Sequence, residues 1–192
     1  MALPIAHSMI GLALGIWRFV PKCASLKEAL QFAWQRRVEM FICIIISLAP
    51  DIDLLFGLLA GKLNLYHHLV THTLIWSLLT AFCIWLYIKF AVKKQPAFAF
   101  WFVFLLIASH LLIDILTTDT SKPIGIMLAW PFSTEYWHLP FSVFPAPIKK
   151  NLADVFSTHN LKNAGLEVLI CLPFVLAVLF SKTMKWSGKK TE

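Results

Sequence analysis

The sequence predicts an all-α integral membrane protein: a helical bundle of four to five spans, with a long aromatic and proline-rich loop before the last span. Three observations predict this class. Of the 192 residues, 59% are hydrophobic and 14% are charged, and the mean hydropathy is +0.74. Several apolar runs approach the ~20 residues that cross a bilayer. The basic residues cluster between these runs and at the C-terminus, which is typical of a topology signal and excludes a nucleic-acid-binding surface.

The length suits one domain, so residues 1–192 are expected to form a single membrane-embedded unit. The N-terminus has no basic region and no small-residue cleavage site, and His7 interrupts its apolar run. We therefore expect this segment to be retained and not cleaved as a signal peptide. The cysteines are dispersed and form no Cys-x-x-Cys pair, which indicates small hydrophobic fillers without disulfide or thiolate metal chemistry (Cys23, Cys43, Cys83 and Cys171).

The spans follow from the apolar runs in chain order. The first covers residues 3–20, where Gly11 and Gly15 favour close helix packing. Residues 21–39 are more polar and place four apolar side chains on one helical face, which predicts an amphipathic helix at the membrane interface (Leu26, Leu30, Ala33 and Trp34). The further spans are residues 40–60, broken at Pro50, then 74–92, 97–116, and 165–181, which Pro173 is expected to shorten or kink.

The long loop covers residues 117–163, and its aromatic content predicts a cap at the membrane interface. Basic clusters orient the spans, because lysine and arginine prefer the cytoplasmic side. The three basic clusters are residues 18–37, residues 89–94 and the C-terminal tail. All three lie on the cytoplasmic side if the protein has five spans and an N-terminus outside the cytoplasm. The same arrangement gathers the ionisable residues of the apolar runs toward the non-cytoplasmic half.

Two carboxylates interrupt the second span just after Pro50. An ionised carboxylate at bilayer depth costs at least about 2.5–3.5 kcal/mol, so Asp51 and Asp53 require a strong reason such as a bound cation. In a locally extended segment, residues two apart point the same way, so the two could share one site. The alternative is a helix end at the water interface with two solvated carboxylates.

Histidines supply further candidate ligands. His110 and Asp114 are four apart on a predicted helix and share a face, which is typical of half a zinc site; the alternative is a metal-free hydrogen-bonded pair. His68 and His72 are four apart and would share a helical face, whereas His67 converges with His72 only if it precedes the helix; the spacing slightly favours His68 without deciding the choice. The alternative for these histidines is a solvated cluster at the interface. His7 is a ligand only if other ligands converge on it. Four further residues lie in loops, where solvation is the simpler interpretation (Asp119, Glu135, His138 and His159).

The ordered motifs carry a resemblance. An early His, then Pro-Asp-Ile-Asp, then His-x-x-x-Thr-His-Thr, then Ser-His-Leu-Leu-x-Asp-x-x-Thr is similar to the YdjM-type family of inner-membrane metal-dependent hydrolases. The similar stretches run over residues 7–118, with a looser Trp-Pro-Phe at 130–132. The sequence departs at His68, where the family usually has Arg, and at Thr73, where Ser is usual; a neutral His is a poor substitute for an anion-clamping Arg. The resemblance implies seven metal-site residues: His7, Asp51, Asp53, His67, His72, His110 and Asp114.

The resemblance also implies a function. It implies a multi-pass protein of the bacterial inner membrane that uses one or two divalent ions, most simply zinc, for hydrolysis. The expected substrate, a phosphoester or ester of a lipid-like molecule, follows from the predicted place of the site near the outer interface under the aromatic loop and from analogy with phospholipases. One of Asp51 and Asp53 would be a ligand and the other a general base. Asp53, His67, His110 and Asp114 are also similar in spacing to zinc-dependent phospholipases C.

Two alternatives stay open. Intramembrane Asp and His also mark ion or proton transport, and a broken helix is typical of transporter sites. The family resemblance further implies a non-catalytic membrane partner of a repressor-type regulator of the DNA-damage response. No direct contact with nucleic acid is expected.

Overall fold

A computed structural model gives the fold, and it describes residues 2–61, 67, 69–91, 98–118, 124–148 and 152–183. The described residues form helices joined by turns and loops, and their only β-type pairings are isolated bridges between single residues. The prediction of an all-α protein is confirmed. The α-helices are α1 (Pro4–Phe19), α2 (Leu26–Gln35), α3 (Arg37–Ser47), α4 (Ile52–Leu59), α5 (Leu74–Ala91), α6 (Phe100–Ile115) and α7 (Thr158–Ser181).

Helix length supports fewer spans than the hydropathy of the sequence does. Within the described residues, α5 and α7 are long and apolar enough to cross a membrane, and α3 with α4 makes a third span if this bent pair is counted as one. Helices α1 and α6 have 16 residues each, so each is only about 24 Å long, against a hydrocarbon core of ~30 Å. The structure therefore has two to three candidate spans by this measure.

Pro50 breaks the second predicted span, as expected. Helix α3 ends at Ser47, a 3₁₀ turn covers Ala49–Asp51, and α4 follows at an angle of 55°. Pro50 has no N–H to donate, and the Asp51 N–H bonds to the Leu48 carbonyl at 3.1 Å. The Ser47 carbonyl thereby loses its usual helical donor. The expectation of an extended segment was wrong, because both aspartates lie in helical turns.

Helix α1 packs against α3, α6 and α7 at the centre of the bundle. A Cβ atom at Gly11 would collide with the Ser47 Oγ, and one at Gly15 would lie 3.0 Å from the Met40 Sδ. Both glycines therefore allow α1 and α3 to approach closely, and the packing predicted from their spacing is confirmed.

The helix directions separate two ends of the bundle. The Cys23 N–H donates to the Lys182 carbonyl at 2.8 Å, just beyond the last turns of α1 and α7, so these helices run parallel. Phe19 at the end of α1 contacts Phe98 before α6, with ring centroids 5.0 Å apart, so α6 runs antiparallel to α1. This end, called the basic end below, carries Arg18, Lys22, Arg36, Arg37, Lys89 and Lys182.

Helix α2, the long loop and helix α7 match the expectations in part. Helix α2 is amphipathic as predicted, with Leu26, Leu30 and Trp34 exposed along one face. The described part of the long loop folds back onto the end of α6, where the Val143 N–H donates to the Leu116 carbonyl at 2.7 Å. Helix α7 begins seven residues before the predicted last span and continues through Pro173 to Ser181, so Pro173 does not shorten it.

Candidate metal centre

The end of the bundle opposite the basic end holds a compact histidine and aspartate cluster. It draws on the first turn of α1, the 3₁₀ turn and first turn of α4, the segment before α5, and the last turns of α6. The structure brings together all seven residues that the resemblance implies; His68 lies outside the described residues. They form three overlapping groups whose potential ligand atoms lie within 4.8 Å of one another: His7, His110 and Asp114; Asp51, His72 and His110; Asp53, His67 and His72.

Four potential ligand atoms form the centre of the cluster, and we call the four residues that carry them the inner group. The His110 Nε2 lies 3.3 Å from the Asp114 Oδ2 and 3.4 Å from the Asp51 Oδ1. The His72 Nε2 lies 3.3 Å from the same Asp114 oxygen and 3.8 Å from the same Asp51 oxygen. His7 approaches the other oxygen of Asp114, with its Nε2 at 3.6 Å. The inner group comprises Asp51, His72, His110 and Asp114, and His7 adjoins it.

These distances suit ligands around an ion better than hydrogen bonds. Hydrogen bonds involving charged groups are usually about 2.7–2.9 Å long. In a tetrahedral zinc site with bonds of about 2.0–2.1 Å, neighbouring ligand atoms are about 3.3–3.4 Å apart. Within the described residues, no hydrogen-bond partner is found for either ring nitrogen of His7, the carboxylate oxygens of Asp51 and Asp114, or the His110 Nε2. Buried polar atoms without partners are costly, so the cluster fits a bound divalent cation.

The broken helix orients His110. Its Nδ1 lies 2.9 Å from the Ser47 carbonyl, the group released by the break at Pro50. An Nδ1–H donating to this carbonyl leaves the Nε2 lone pair directed at the inner group, which is how metal-ligating histidines are commonly held. The Ser47 hydroxyl lies 3.0 Å from the His7 carbonyl and 2.8 Å from the Ile44 carbonyl, and its one proton is shared between these two acceptors. Ser47 was not predicted to contribute to the site, although its place four residues before Asp51 in a predicted broken helix is a usable signal.

Asp53 has a different environment from Asp51. Its Oδ1 lies 2.9 Å from the His67 Nδ1, and its Oδ2 accepts the Thr71 hydroxyl at 2.6 Å. The same Oδ2 lies 3.2 Å from the His72 Nδ1, on the side of that ring opposite the inner group. Asp53 thus orients His72 from behind, in a carboxylate–histidine arrangement typical of metal sites. Asp51 and Asp53 face opposite sides of one imidazole.

Of the other candidate polar residues, Asp119 lies outside the described residues, and the described ones are not part of the cluster. Thr73 caps α5, with its hydroxyl accepting the Trp76 N–H at 3.1 Å. Glu135 and His138 are exposed in the loop, and the His159 Nε2 lies 3.0 Å from the Ala146 carbonyl. A second residue that sequence reasoning missed is Glu167, a fully buried acid within the apolar run of α7. An acid in a predicted span was the signal for it.

Fold and site together define a helical membrane protein with a buried His/Asp cluster at one end of its bundle. The sequence matches the family model described as YdjM inner membrane protein over residues 2–187, so the chain belongs to this family. The resemblance read from the motifs is confirmed. A search of curated proteins and a search of solved structures each found no match. The family description places the protein in the inner membrane and names no reaction.

Proposed function

We propose that this protein is a membrane-bound, metal-dependent hydrolase that acts on a phosphoester or ester of an amphiphilic substrate. One observation carries the proposal: a buried set of imidazole and carboxylate atoms spaced as ligands, in which the Asp51 and Asp114 oxygens and the His110 Nε2 have no hydrogen-bond partner among the described residues. Catalysis is the common use of such a set when one side stays open to water. Zinc is the simplest choice, since it accepts mixed nitrogen and oxygen ligands and can expand beyond four-coordinate geometry when water binds.

The inner group would hold the ion, with His7 as a further ligand. A bound divalent ion supplies a water of lowered pKa and polarises a phosphoryl or acyl oxygen. The overlapping group of Asp53, His67 and His72 could hold a second ion, so the count of one or two stays part of the proposal.

Asp51 is the residue best placed for a second task. Its side chain keeps 10% exposure, whereas those of His72, His110 and Asp114 have none. Both Asp51 oxygens are buried, so water would reach the inner group only when the protein opens beside Asp51. Its Oδ2 could then accept a proton while Oδ1 faces the histidines. Asp53, being engaged by Thr71 and His67, serves better to position His72 than as the general base.

Exposed apolar side chains close in sequence to the cluster support an amphiphilic substrate. Ile52 and Phe56 follow Asp51 in α4 and are exposed, and Val70 precedes Thr71 and is exposed as well. Apolar side chains beside a polar reaction centre suit a molecule with a polar head and an apolar tail. A phospholipid or a lipid-linked phosphate has this chemistry.

The two ends of the bundle support a multi-pass orientation. If the short helices α1 and α6 also cross the membrane, the parallel directions of α1 and α7 are consistent with an odd number of crossings such as five. The basic end would face the cytoplasm, so the metal centre would lie toward the non-cytoplasmic side. Cysteine labelling at an engineered position in residues 124–148 of intact cells tests this orientation, and labelling only from the cytoplasm would contradict it.

The test of the function compares three purified proteins: wild type, Asp114→Ala, and His138→Ala as a control that removes an exposed histidine. Elemental analysis should find stoichiometric metal in wild type and in His138→Ala and a large loss in Asp114→Ala. Hydrolysis of phosphoester and lipid substrates should follow the metal content. A wild-type protein that binds no divalent metal after reconstitution would refute the proposal.

Transport is the second candidate, since the break beside Asp51 resembles the broken helices of transporter sites. A transporter would show ion flux in liposomes, lost in Asp51→Asn, with no hydrolysis by any variant. The repressor-type regulatory partner implied by the resemblance is a further proposal, and α2 at the basic end is the surface that such a cytoplasmic partner would reach. Metal-site variants would keep that binding.

A further inference from the structure

Glu167 is a buried acid that the proposed metal centre does not use. It lies in α7, 0% exposed, on the helix face that also buries Asn163, Cys171 and Val175. The cost of placing a carboxylate inside an apolar helix is high, so its contacts must offset that cost. Its Oε1 accepts the Leu3 N–H at 2.6 Å, and its Oε2 accepts the Ala6 N–H at 2.9 Å.

These two N–H groups are among the four that the start of an α-helix leaves without a partner inside the helix. Leu3 is the N-cap of α1, it has no side-chain cap, and Pro4 follows as the first helical residue. In a capping box, the N-cap N–H and the N3 N–H are each satisfied by a local side chain. Here one carboxylate from another helix satisfies both, and its charge is favourable at the positive end of the α1 dipole.

Ala6 directly precedes His7, so the bonds from Glu167 act one residue from the metal centre. The His7 carbonyl is held from the other side by the Ser47 hydroxyl. Between these two anchors, the rotation and depth of the first turn of α1 are fixed. The His7 ring consequently stacks on His110 at a centroid distance of 3.7 Å and directs its Nε2 toward Asp114.

We propose that Glu167 is a positioning residue: it clamps the first turn of α1 to α7 and thereby sets His7 as a ligand of the metal centre. This proposal rests on the proposed function in one respect, since it takes His7 to be a metal ligand. The carboxylate form is required, because both oxygens face N–H donors. A glutamine would turn an NH₂ group toward one of them, and an aspartate would be one methylene too short.

The test measures zinc affinity by chelator competition and the visible spectrum of the Co²⁺-substituted protein, in detergent. Glu167→Gln should weaken zinc binding by about 10–100-fold, the usual effect of losing an outer-shell partner, and should shift the Co²⁺ bands as His7→Ala does. In a His7→Ala background, Glu167→Gln should change affinity less than about twofold. Asn163→Ala is the matched control: it removes a buried polar group one turn away that bonds the Ala146 carbonyl instead of α1, and should keep wild-type affinity and spectrum.

Hydrogen–deuterium exchange of residues 2–10 provides a readout that needs no metal. Exchange should be faster in Glu167→Gln than in wild type and unchanged in Asn163→Ala; Glu167→Asp replaces Glu167→Gln if the latter does not purify as a folded protein. Unchanged exchange, unchanged affinity, or an equal loss of affinity with and without His7 would each overturn the proposal. Wild-type protein that binds metal without hydrolysing any substrate would remove only the hydrolase function. Wild-type protein that binds no metal would refute the proposed function. Hydrogen–deuterium exchange alone would then test whether Glu167 holds the first turn of α1 against α7.

Discussion

The imidazole rings of His7 and His110 are stacked, with centroids 3.7 Å apart and planes inclined by 16°. The two residues come from antiparallel helices, and each ring is fully buried. One ring adjoins each oxygen of Asp114: the His7 Nε2 lies 3.6 Å from Oδ1, and the His110 Nε2 lies 3.3 Å from Oδ2. The stack therefore joins α1 to the proposed metal centre, and its two proposed contributions, ring packing and a ligand nitrogen, can be separated by substitution.

Replacing His7 separates packing from ligation. His7→Phe keeps an aromatic ring against His110 but has no ligand nitrogen, and His7→Ala removes both. We expect both variants to bind zinc at least about tenfold more weakly, and only His7→Ala to lose stability beyond the loss of bound metal, by about 2 kcal/mol or more. Chelator competition and thermal unfolding of the metal-free proteins measure the two effects. Normal zinc affinity in His7→Phe would exclude His7 as a ligand.

Asp51 and Asp53 should behave differently when each is changed to Asn. Asp51→Asn removes the charge of an inner-group ligand, so we expect loss of stoichiometric metal and of hydrolysis. Asp53→Asn acts through His72, so metal binding should persist with an affinity about 10–100-fold lower. Metal titration of both variants measures this. A larger loss of metal affinity in Asp53→Asn than in Asp51→Asn would instead indicate that Asp53 is the ligand and that Asp51 acts indirectly.

Gly11 and Gly15 test the helix approach that brings His7 to the centre. Gly11→Ala places a Cβ against the Ser47 Oγ and 3.0 Å from the Cys43 carbonyl, and backbone cannot easily move aside. We expect a loss of about 1–3 kcal/mol in thermal unfolding. Gly15→Ala is the matched control, since its new Cβ meets the flexible Met40 side chain and should cost less. Equal losses of stability in the two variants would show that the contact between Gly11 and Ser47 is no more restrictive than the contact between Gly15 and Met40.

Removing the metal should destabilise the folded protein. An ion present at 100 times its dissociation constant stabilises by about 2.7 kcal/mol, since it binds the folded state. A strong chelator should therefore lower the Tm of the wild-type protein measured by light scattering or intrinsic fluorescence. Asp114→Ala should show no such shift, and an equal shift in both proteins would indicate an effect of the chelator unrelated to the site.

The sequence by itself determined the all-α membrane class, the break at Pro50, the amphipathic α2 and the residue types that converge. These are local properties: apolar runs, helical spacing and the missing N–H of proline act within a few residues. The ordered motifs also sufficed to recognise the family, which the match over residues 2–187 confirms.

Only the tertiary structure showed that Asp51 and Asp53 have different environments, that the His110 ring contacts the Ser47 carbonyl, and that Glu167 lies at the start of α1. The spacing of Asp51 and Asp53 predicted a shared direction, yet they lie on opposite sides of His72 because the turn between them is helical. Ser47 and His110 are 63 residues apart, and Leu3 and Glu167 are 164 apart. Periodicity fixes which residues share a helix face, but the rotation and depth of one helix against another depend on close packing across the whole bundle.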